Sequence, residues 1–119
     1  MSRAQGSKWE RVAERWLKQR NARIVCRNYH CRSGEIDLVI RDGDQIAFVE
    51  VKFRALKGYG SGADHVTFTK QRRIVSAARR FLQYHKHASC QVFRFDVISI
   101  TNTPDGLKIQ WIKSAFEAV

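Results

Sequence analysis

The chain has 119 residues, 44% of them hydrophobic, and a net charge of +11 from 22 Lys and Arg against 11 Asp and Glu. Its single proline and seven glycines argue against a disordered or fibrous chain, and its length predicts a single domain over residues 1–119. No apolar run approaches the ~18 residues that a membrane span needs, and the N-terminus lacks the apolar core of a signal peptide, so we expect a cytoplasmic protein with no membrane partner.

The first predicted element is an amphipathic helix over about residues 7–20. Its apolar side chains recur at helical spacing, at Trp9, Val12, Ala13, Trp16 and Leu17. Ser7 is the predicted N-cap, and Glu10, three residues later, completes a capping box. Asn21 suits the end of this helix, because asparagine tolerates the left-handed backbone conformation.

Three β-strands are predicted to follow the helix. The first spans residues 23–31. In the second strand, two sets of residues alternate between the faces: Ile36, Leu38 and Ile40 against Glu35, Asp37 and Val39. After a hairpin turn at residues 41–45, the third strand also alternates: Ile46, Phe48, Glu50, Lys52 and Arg54 on one face, and Ala47, Val49, Val51 and Phe53 on the other.

The second half of the chain predicts a loop, a helix and two strands. Residues 55–66 contain three glycines and predict a mobile loop. Thr67 or Thr69 caps a second helix that ends near residue 86 and buries one stripe of side chains: Ile74, Val75, Ala78, Phe81, Leu82 and His85. Strands over 92–100 and 107–112 complete the chain. The order α-β-β-β-α-β-β predicts an α/β (mixed α+β) fold, with a mixed five-stranded sheet flanked by helices.

The three cysteines favour reduced thiols, because their number is odd and no export signal is present. The alternative is a structural zinc site drawn from five side chains: Cys26, Cys31, His85, His87 and Cys90. Neither spacing in this set matches a zinc-finger pattern, so small core or surface residues are the favoured interpretation. We expect neither His30 nor His65 to be catalytic.

Charge is distributed unevenly along the chain. Residues 1–34 carry nine basic and two acidic side chains, and residues 53–89 carry eight and one. Residues 35–52 reverse this balance, with two basic and five acidic side chains. The excess of positive charge favours a nucleic acid partner, with an anionic membrane surface or a basic surface of no particular ligand as alternatives. Acidic residues between basic segments indicate carboxylates that hold a divalent cation, which in turn meets phosphate.

Three residues of the predicted hairpin form the strongest candidate site: Asp37, Glu50 and Lys52. If Gly43-Asp44 is the turn, Asp37 lies directly opposite Glu50; if Asp42-Gly43 is the turn, Glu35 lies opposite Glu50 and Asp37 lies on the diagonal of the same face.

Two facing carboxylates repel each other unless a cation lies between them, and hard oxygen ligands suit Mg²⁺ or Mn²⁺. Lys52 would position or help to deprotonate the attacking water, or stabilise charge on phosphorus. The alternative is an ion pair between Glu50 and Lys52 on a solvated surface. The strand argues against it, because both residues interrupt a strongly apolar segment.

Two segments of the hairpin carry a family resemblance: Gly34-Glu35-Ile36-Asp37-Leu38-Val39 and Phe48-Val49-Glu50-Val51-Lys52-Phe53-Arg54. They resemble the small bacterial YraN family, of unassigned function. They also resemble the active-site hairpin of the PD-(D/E)xK nucleases, which have the restriction-endonuclease fold, and especially that of archaeal Holliday-junction resolvases. The resemblance extends to Ala13-Glu14, to the basic second helix and to Arg94-Phe95-Asp96-Val97, although Ile36 stands where the superfamily often has proline.

The resemblance implies a role for each matching residue. Asp37 and Glu50 would be metal ligands, assisted by the Val51 carbonyl oxygen, and Lys52 would be the catalytic lysine. Glu14 matches a first-helix glutamate that completes such sites in resolvases, but it lies off the apolar stripe and is equally suited to a solvated surface.

Further residues are assigned supporting or binding roles. Gln71 matches a supporting polar position, and Glu35 is assigned a supporting role beside the site. Arg54 continues the face of Glu50 and Lys52 and would contact phosphate. The second helix would bind nucleic acid through Lys70, Arg72 and Arg73. Asp96 is expected to pair with a nearby arginine rather than to support the site.

The leading functional hypothesis is a Mg²⁺- or Mn²⁺-dependent endonuclease that hydrolyses phosphodiesters in DNA rather than RNA. Action on branched or structured DNA, and a homodimer, follow from the resemblance to resolvases alone. One alternative is a non-catalytic nucleic-acid-binding protein that keeps the nuclease fold. The other is a partner module in a DNA-repair or RNA-processing complex.

Overall fold

The computed structural model describes residues 3–55, 66–85 and 92–118 of the chain. The elements follow in the predicted order: α1 (Arg3–Gln19), β1 (Arg23–Cys31), β2 (Gly34–Asp42), β3 (Gln45–Ala55), α2 (Phe68–Tyr84), β4 (Phe93–Thr103) and β5 (Gly106–Phe116). Most of the segment predicted as a glycine-rich loop lies outside the described residues, as do His65, His87 and Cys90. The predicted order of elements and the α/β class are confirmed.

The five strands form one mixed sheet in which spatial order follows chain order, β1-β2-β3-β4-β5. Neighbouring strands are antiparallel except β3 and β4, which are parallel and are therefore joined by a crossover that contains α2. No helix among the described residues is long and apolar enough to cross a membrane.

Each helix packs on its own apolar core. The core beneath α2 joins side chains of that helix to alternate strand residues, including Val39, Ile46, Phe48, Phe81, Phe95 and Val97. The core beneath α1 takes the strand residues of the opposite parity, including Leu17, Leu38, Ile40, Val49, Ile98 and Ile100. A strand buried on both faces in this way has little room for a charged side chain without a partner.

The start of α1 differs from the prediction. The helix begins at Arg3, so Ser7 lies inside it and the expected capping box is wrong. Arginine, alanine and glutamine favour a helix, although Gly6 does not, and the helix continues through the turn before Ser7. The end is as predicted: Asn21 adopts a left-handed φ of 69°, and the Ala22 amide donates a hydrogen bond to the Leu17 carbonyl.

The start of α2 is fixed by Thr67, one of the two predicted caps. Its hydroxyl accepts a hydrogen bond from the Lys70 amide at 3.2 Å, and its carbonyl accepts one from the Gln71 amide. The Gln71 side-chain amide donates to the Val66 carbonyl at 2.8 Å, which ties the residue before the cap to the helix. Lys70 therefore projects from a firmly held first turn.

The β2–β3 hairpin selects one of the two predicted registers. Asp42 pairs with Gln45 across a turn at Gly43-Asp44, and the ladder continues to the pair Leu38–Val49. The next position of this register would place Asp37 opposite Glu50, but the two residues do not pair through their backbones. Instead the Asp37 carboxylate accepts a hydrogen bond from the Val51 amide at 2.8 Å.

The irregular ladder at Asp37 also corrects the predicted alternation of β2. Ile36 packs in the core beneath α2, whereas Leu38 and Ile40 pack beneath α1, so these three residues do not share one face. On the other side of β2, Asn28 stands opposite Asp37 by the register of β1 and has a left-handed φ of 49°. The backbone is thus irregular on both sides of Asp37, which breaks the period of two.

Candidate functional site

A cavity of about 320 Å³ lies where β2 and β3 cease to pair, between the two helices. We call it the carboxylate pocket; its lining is formed by Trp9, Glu10, Glu35, Asp37, Glu50, Val51, Lys52, Phe53 and Lys70. The pocket therefore contains the three principal site residues predicted from the hairpin, together with Val51 and Glu35. It also contains residues from the first turns of α2 and the first half of α1.

Asp37 and Glu50 are two buried or partly buried acids with few hydrogen-bond donors around them. Glu50 is only 5% exposed. Burial raises the pKa of Glu50 to about 7, and the nearby Asp37 charge acts in the same direction. Burial raises the pKa of Asp37 to about 6, although the Val51 amide opposes the shift. Both acids therefore hold protons at a pH where ordinary carboxyl groups have lost them, and a cation would relieve that strain.

Two lysines reach the carboxylate pocket, and they differ in their partners. Lys70 Nζ lies 3.0 Å from Glu50 Oε2. Burial acts to lower the Lys70 pKa, but the charges of Glu50 and Asp37 outweigh it and the pKa is raised. Lys52 is half-buried and makes no ion pair or hydrogen bond with its side chain within the described part of the chain. Lys52 is thus available to a ligand in the pocket.

The α1 wall of the pocket presents two polar atoms that lack hydrogen-bond partners among the described residues. Trp9 stacks on Phe53 with ring centroids 3.8 Å apart, which holds the first half of α1 against β3. The indole Nε1 of Trp9 and the Oε1 of Glu10 are both buried and unpaired. Burial raises the pKa of the Glu10 carboxyl, despite hydrogen bonds with Asp37 and Asn28 that lower it. A buried donor and a buried acceptor without partners favour a bound ligand at this wall.

The structure does not bring Glu14 into the carboxylate pocket. Its carboxylate forms a double hydrogen bond with Arg27, at 2.6 and 2.7 Å, and an ion pair with Lys18 at 3.0 Å. The hydrogen bond with Arg27 is the main cause that lowers the Glu14 pKa to about 2. The acid that α1 contributes to the pocket is Glu10, one turn earlier. A sequence signal existed: at 100° per residue, Glu10 lies about 40° nearer the apolar stripe than Glu14.

The remaining predicted residues lie around the pocket. Glu35 lines its edge and pairs with His30 at 3.1 Å. Gln71 supports the start of α2, as described above. Arg54 donates a hydrogen bond to the Thr101 hydroxyl at 3.3 Å and is half-buried. The described cysteines, Cys26 and Cys31, are free and half-buried.

Arg72 and Arg73 are exposed on α2 and border a separate depression together with Ser33 and Thr69. The backbone of α2 approaches β2 closely there: a Cβ at Gly34 would collide with the Arg73 carbonyl oxygen. Glycine is thus required at position 34 for α2 to lie where Lys70 meets Glu50.

Asp96 belongs to a second buried acidic cluster, away from the carboxylate pocket. It accepts hydrogen bonds from the Arg94 side chain, the Trp111 indole and the Ser114 amide, at 2.9 to 3.1 Å. The predicted pairing of Asp96 with an arginine is confirmed. We call this set of residues, with Asp42 and Gln45, the Asp96 cluster.

The donor set of the carboxylate pocket fits a hard cation that needs few protein ligands. Among the residues that the structure describes, no three His, Cys, Asp or Glu side chains are arranged as a ready cation cage. Mg²⁺ is usually held by one or two carboxylates, several waters and substrate phosphate oxygens, so it needs no such cage. Asp37 and Glu50, which both line the pocket, supply oxygen ligands of that kind.

Comparison with known proteins identifies relatives over nearly the whole chain. The sequence model of the Uncharacterised protein family UPF0102 matches residues 9–100. A UPF0102 protein of Chromohalobacter salexigens is 44% identical over 98% of this chain and 94% of the relative. One from Aeromonas hydrophila is 43% identical over 95% and 85%, and one from Legionella pneumophila is 37% identical over 99% and 98%.

Among solved structures, the chain is similar to SfsA of Pyrococcus furiosus in complex with Ca²⁺. The identity is 16% and the TM-score 0.40, over 97% of this chain and 64% of that chain. A likeness of this degree supports no inference about function.

Proposed function

The chain belongs to the Uncharacterised protein family UPF0102, the YraN family, and we propose from its site that it is a divalent-metal-dependent nuclease that hydrolyses phosphodiesters in DNA. One observation carries the proposal. Asp37 and Glu50 meet in a pocket with Lys52, on a hairpin that resembles the nuclease motif, and both acids are protonated more readily than ordinary carboxyl groups. Such acids are poised to exchange a proton for a cation.

Asp37 and Glu50 are the side chains that would hold Mg²⁺ or Mn²⁺, with the Val51 carbonyl oxygen as a further ligand by resemblance and Glu10 beside them on the wall of the pocket. A bound ion supplies Lewis-acid stabilisation of the charge that builds up on the phosphate. The Val51 amide keeps the Asp37 carboxylate oriented, because it donates a hydrogen bond to one of its oxygens. In the reaction a water oxygen bonds to phosphorus, the P–O bond to the leaving strand breaks, and a proton passes to the leaving oxygen.

Lys52 is the catalytic lysine of this proposal. It lies two residues after Glu50 on β3 and borders the same pocket. Because its side chain has no ion pair within the described part of the chain, its ammonium can donate hydrogen bonds to the phosphate oxygens. This contact would position the phosphate for attack and stabilise the negative charge of the transition state.

DNA would be bound chiefly by its backbone. The α2 helix carries five basic residues and no acidic one, and Arg72 and Arg73 are exposed beside the pocket. Arg54 is a further phosphate ligand in this proposal. Such contacts make affinity fall steeply with salt and read little sequence. DNA in preference to RNA, branched substrates, a homodimer and a cytoplasmic location remain predictions from the sequence.

The proposal is tested by cleavage of end-labelled four-way junctions, duplex DNA, single-stranded DNA and RNA with Mg²⁺ or Mn²⁺. Asp37→Asn, Glu50→Gln and Lys52→Ala are each expected to lower the rate by about 10³-fold, because several kcal/mol of transition-state stabilisation are lost. Asp105→Asn, Glu117→Gln and Lys108→Ala make the same chemical changes at exposed positions and should cut normally. If the wild type cuts nothing with either ion, the hydrolase proposal is wrong.

A second candidate function is a non-catalytic nucleic-acid-binding protein. The Lys70–Glu50 ion pair favours it, because that lysine already supplies positive charge to one acid of the pocket. In that case the wild type and the Asp37 and Glu50 variants would bind DNA equally well, without any need for a divalent ion. A protein-partner module, the third hypothesis, would bind no DNA, or bind it with no dependence on salt.

A further inference from the structure

Lys70 and Glu50 form an ion pair, and their side chains differ in how exposed they are and how firmly they are fixed. The Glu50 side chain is 6% exposed and fixed on the interior strand β3, whereas the Lys70 side chain is 44% exposed. The backbone of Lys70 is held by the Thr67 cap, so only its side chain is free to move. A lysine side chain has four methylene groups and a compact charged end, so it can leave Glu50 without any movement of the helix.

The position of Lys70 conflicts with a divalent cation. Its ammonium lies 3.0 Å from Glu50 Oε2, one of the oxygens that a cation would use. Two positive centres bound to the same carboxylate repel each other, and more strongly than in bulk water because Glu50 is buried. An ion can therefore bind to Glu50 well only after the Lys70 ammonium has moved away. Lys52 creates no such conflict, since it has no ion pair with Glu50 in the described structure.

We infer that Lys70 is a displaceable counterion: it neutralises Glu50 while the pocket is empty of metal, competes with the divalent cation for that carboxylate, and binds the substrate phosphate once it is displaced. The inference rests on the proposed function and assigns Lys70 a role beyond general backbone binding. The phosphate replaces Glu50 as the negatively charged partner of Lys70. Metal and DNA therefore assist each other's binding, and by linkage the assistance is mutual.

The exposed end of α2 makes the second position of Lys70 reasonable. Arg72 and Arg73 follow on the same helix and are exposed, so a backbone bound along α2 would bring phosphates close to the first turn. No acidic residue of α2 competes for the displaced ammonium.

The test is Mg²⁺ binding measured by calorimetry, without DNA, for the wild type and for Lys70→Met and Lys70→Gln. Both variants keep much of the side chain but remove the charge, so we expect each to bind Mg²⁺ about tenfold more tightly than the wild type. Lys108→Met, at an exposed position on β5, should leave the affinity unchanged. Lys70→Arg keeps the positive charge and should remain close to the wild type.

The coupling to DNA is measured in a Lys52→Ala background, so that a four-way junction stays intact during the titration. Saturating junction DNA should tighten Mg²⁺ binding with Lys70 present, and should do so several-fold less with Lys70→Met. A lysine that only stabilises the fold would change thermal unfolding in both variants but would not raise the affinity for Mg²⁺.

The outcomes separate this inference from the proposed function. If the wild type cleaves DNA but Lys70→Met and Lys70→Gln bind Mg²⁺ no more tightly, the role of Lys70 is overturned and the hydrolase stands. If both variants bind Mg²⁺ more tightly while the wild type cuts no substrate, the competition is supported and the hydrolase is overturned. If none of the proteins binds Mg²⁺, both proposals fail.

Discussion

The sheet holds two buried acidic clusters, and they are built in opposite ways. Asp96 is fully buried and has donors from three directions: Arg94, the Trp111 indole and the Ser114 amide. In the carboxylate pocket, Glu50 has one ammonium, Asp37 has one backbone amide and a hydrogen bond with Glu10, and Glu10 Oε1 has no partner in the described part of the chain. Burial of an acid is therefore informative only together with its partners: a fully paired acid supports the fold, and an under-paired acid favours a ligand.

Asp96 lies beside Val49 in the β3–β4 register, but the contacts of its cluster extend to the hairpin turn, whereas the carboxylate pocket lies at the other end of the β2–β3 hairpin. At the turn, Arg94 binds Asp42 and Gln45 at 2.7 Å and so clamps the hairpin to β4. At the other end the ladder stops after Leu38–Val49, and the carboxylate pocket opens. The turn of the hairpin is thus held by contacts with Arg94, whereas the other end presents carboxylate oxygens to the pocket.

The largest expected effect is on stability, from Asp96→Asn. Removal of this charge leaves Arg94, whose side chain is 12% exposed, with Asp42 as its remaining charged partner, so we expect the free energy of unfolding to fall by about 3–5 kcal/mol. Asp37→Asn should change it by less than about 1 kcal/mol at pH 8, because asparagine can still accept from the Val51 amide and a repulsive charge is lost. Urea denaturation measures both, and equal losses in the two variants would contradict the contrast.

A smaller effect distinguishes the two glutamates of α1. Glu10→Gln should weaken Mg²⁺ binding about tenfold, because it removes charge from the wall of the pocket. Glu14→Gln should leave Mg²⁺ binding unchanged and lower the free energy of unfolding by no more than about 1 kcal/mol, through loss of its ion pairs. Calorimetric titration with Mg²⁺ decides between them; weaker binding in Glu14→Gln alone would favour the residue that the resemblance assigned.

A third effect is a pH dependence of stability. Asp37 and Glu50 have pKa values of about 6 and 7 in the folded protein, above their ordinary values of 3.8 and 4.5. The folded state therefore holds protons that the unfolded state releases, and the resulting stability is present below about pH 4 and lost as the pH rises through 6 to 7.

We expect the free energy of unfolding, without divalent ions, to fall by about 3–4 kcal/mol more between pH 5 and pH 8 in the wild type than in an Asp37→Asn/Glu50→Gln double variant. Urea titrations at both values measure this difference. Mg²⁺ should stabilise the wild type more at pH 8 than at pH 5. Parallel pH profiles for the two proteins would show that the acids are not strained in the folded state.

Local sequence patterns predict most of the fold and bring together the residues at the centre of the candidate site. Alternation along β3 and the length of the hairpin turn were enough to bring Asp37, Glu50 and Lys52 together. Alternation failed at Ile36, because a period of two assumes a regular ladder and the ladder is interrupted at Asp37. The interruption depends on a side chain replacing a backbone partner, which no local pattern records.

The residues that the helices bring to the pocket were harder to predict. Helical periodicity predicts the direction of a side chain around the helix axis, but not which residue of another element it contacts. The sequence pattern predicts a capping role for Glu10 and general backbone binding for Lys70, although both line the pocket. Their place depends on where α1 and α2 cross the sheet, which is set by contacts such as Trp9 on Phe53.

The close approach of Gly34 to the Arg73 carbonyl sets the distance between β2 and α2. A single methyl group at position 34 would act as a wedge between β2 and α2, and would carry Lys70 away from the acids on the strands. All nine residues that line the cavity would keep their chemistry. The distance between Lys70 and the acids could then be changed without changing any residue that lines the cavity. A substitution inside the cavity changes both at once.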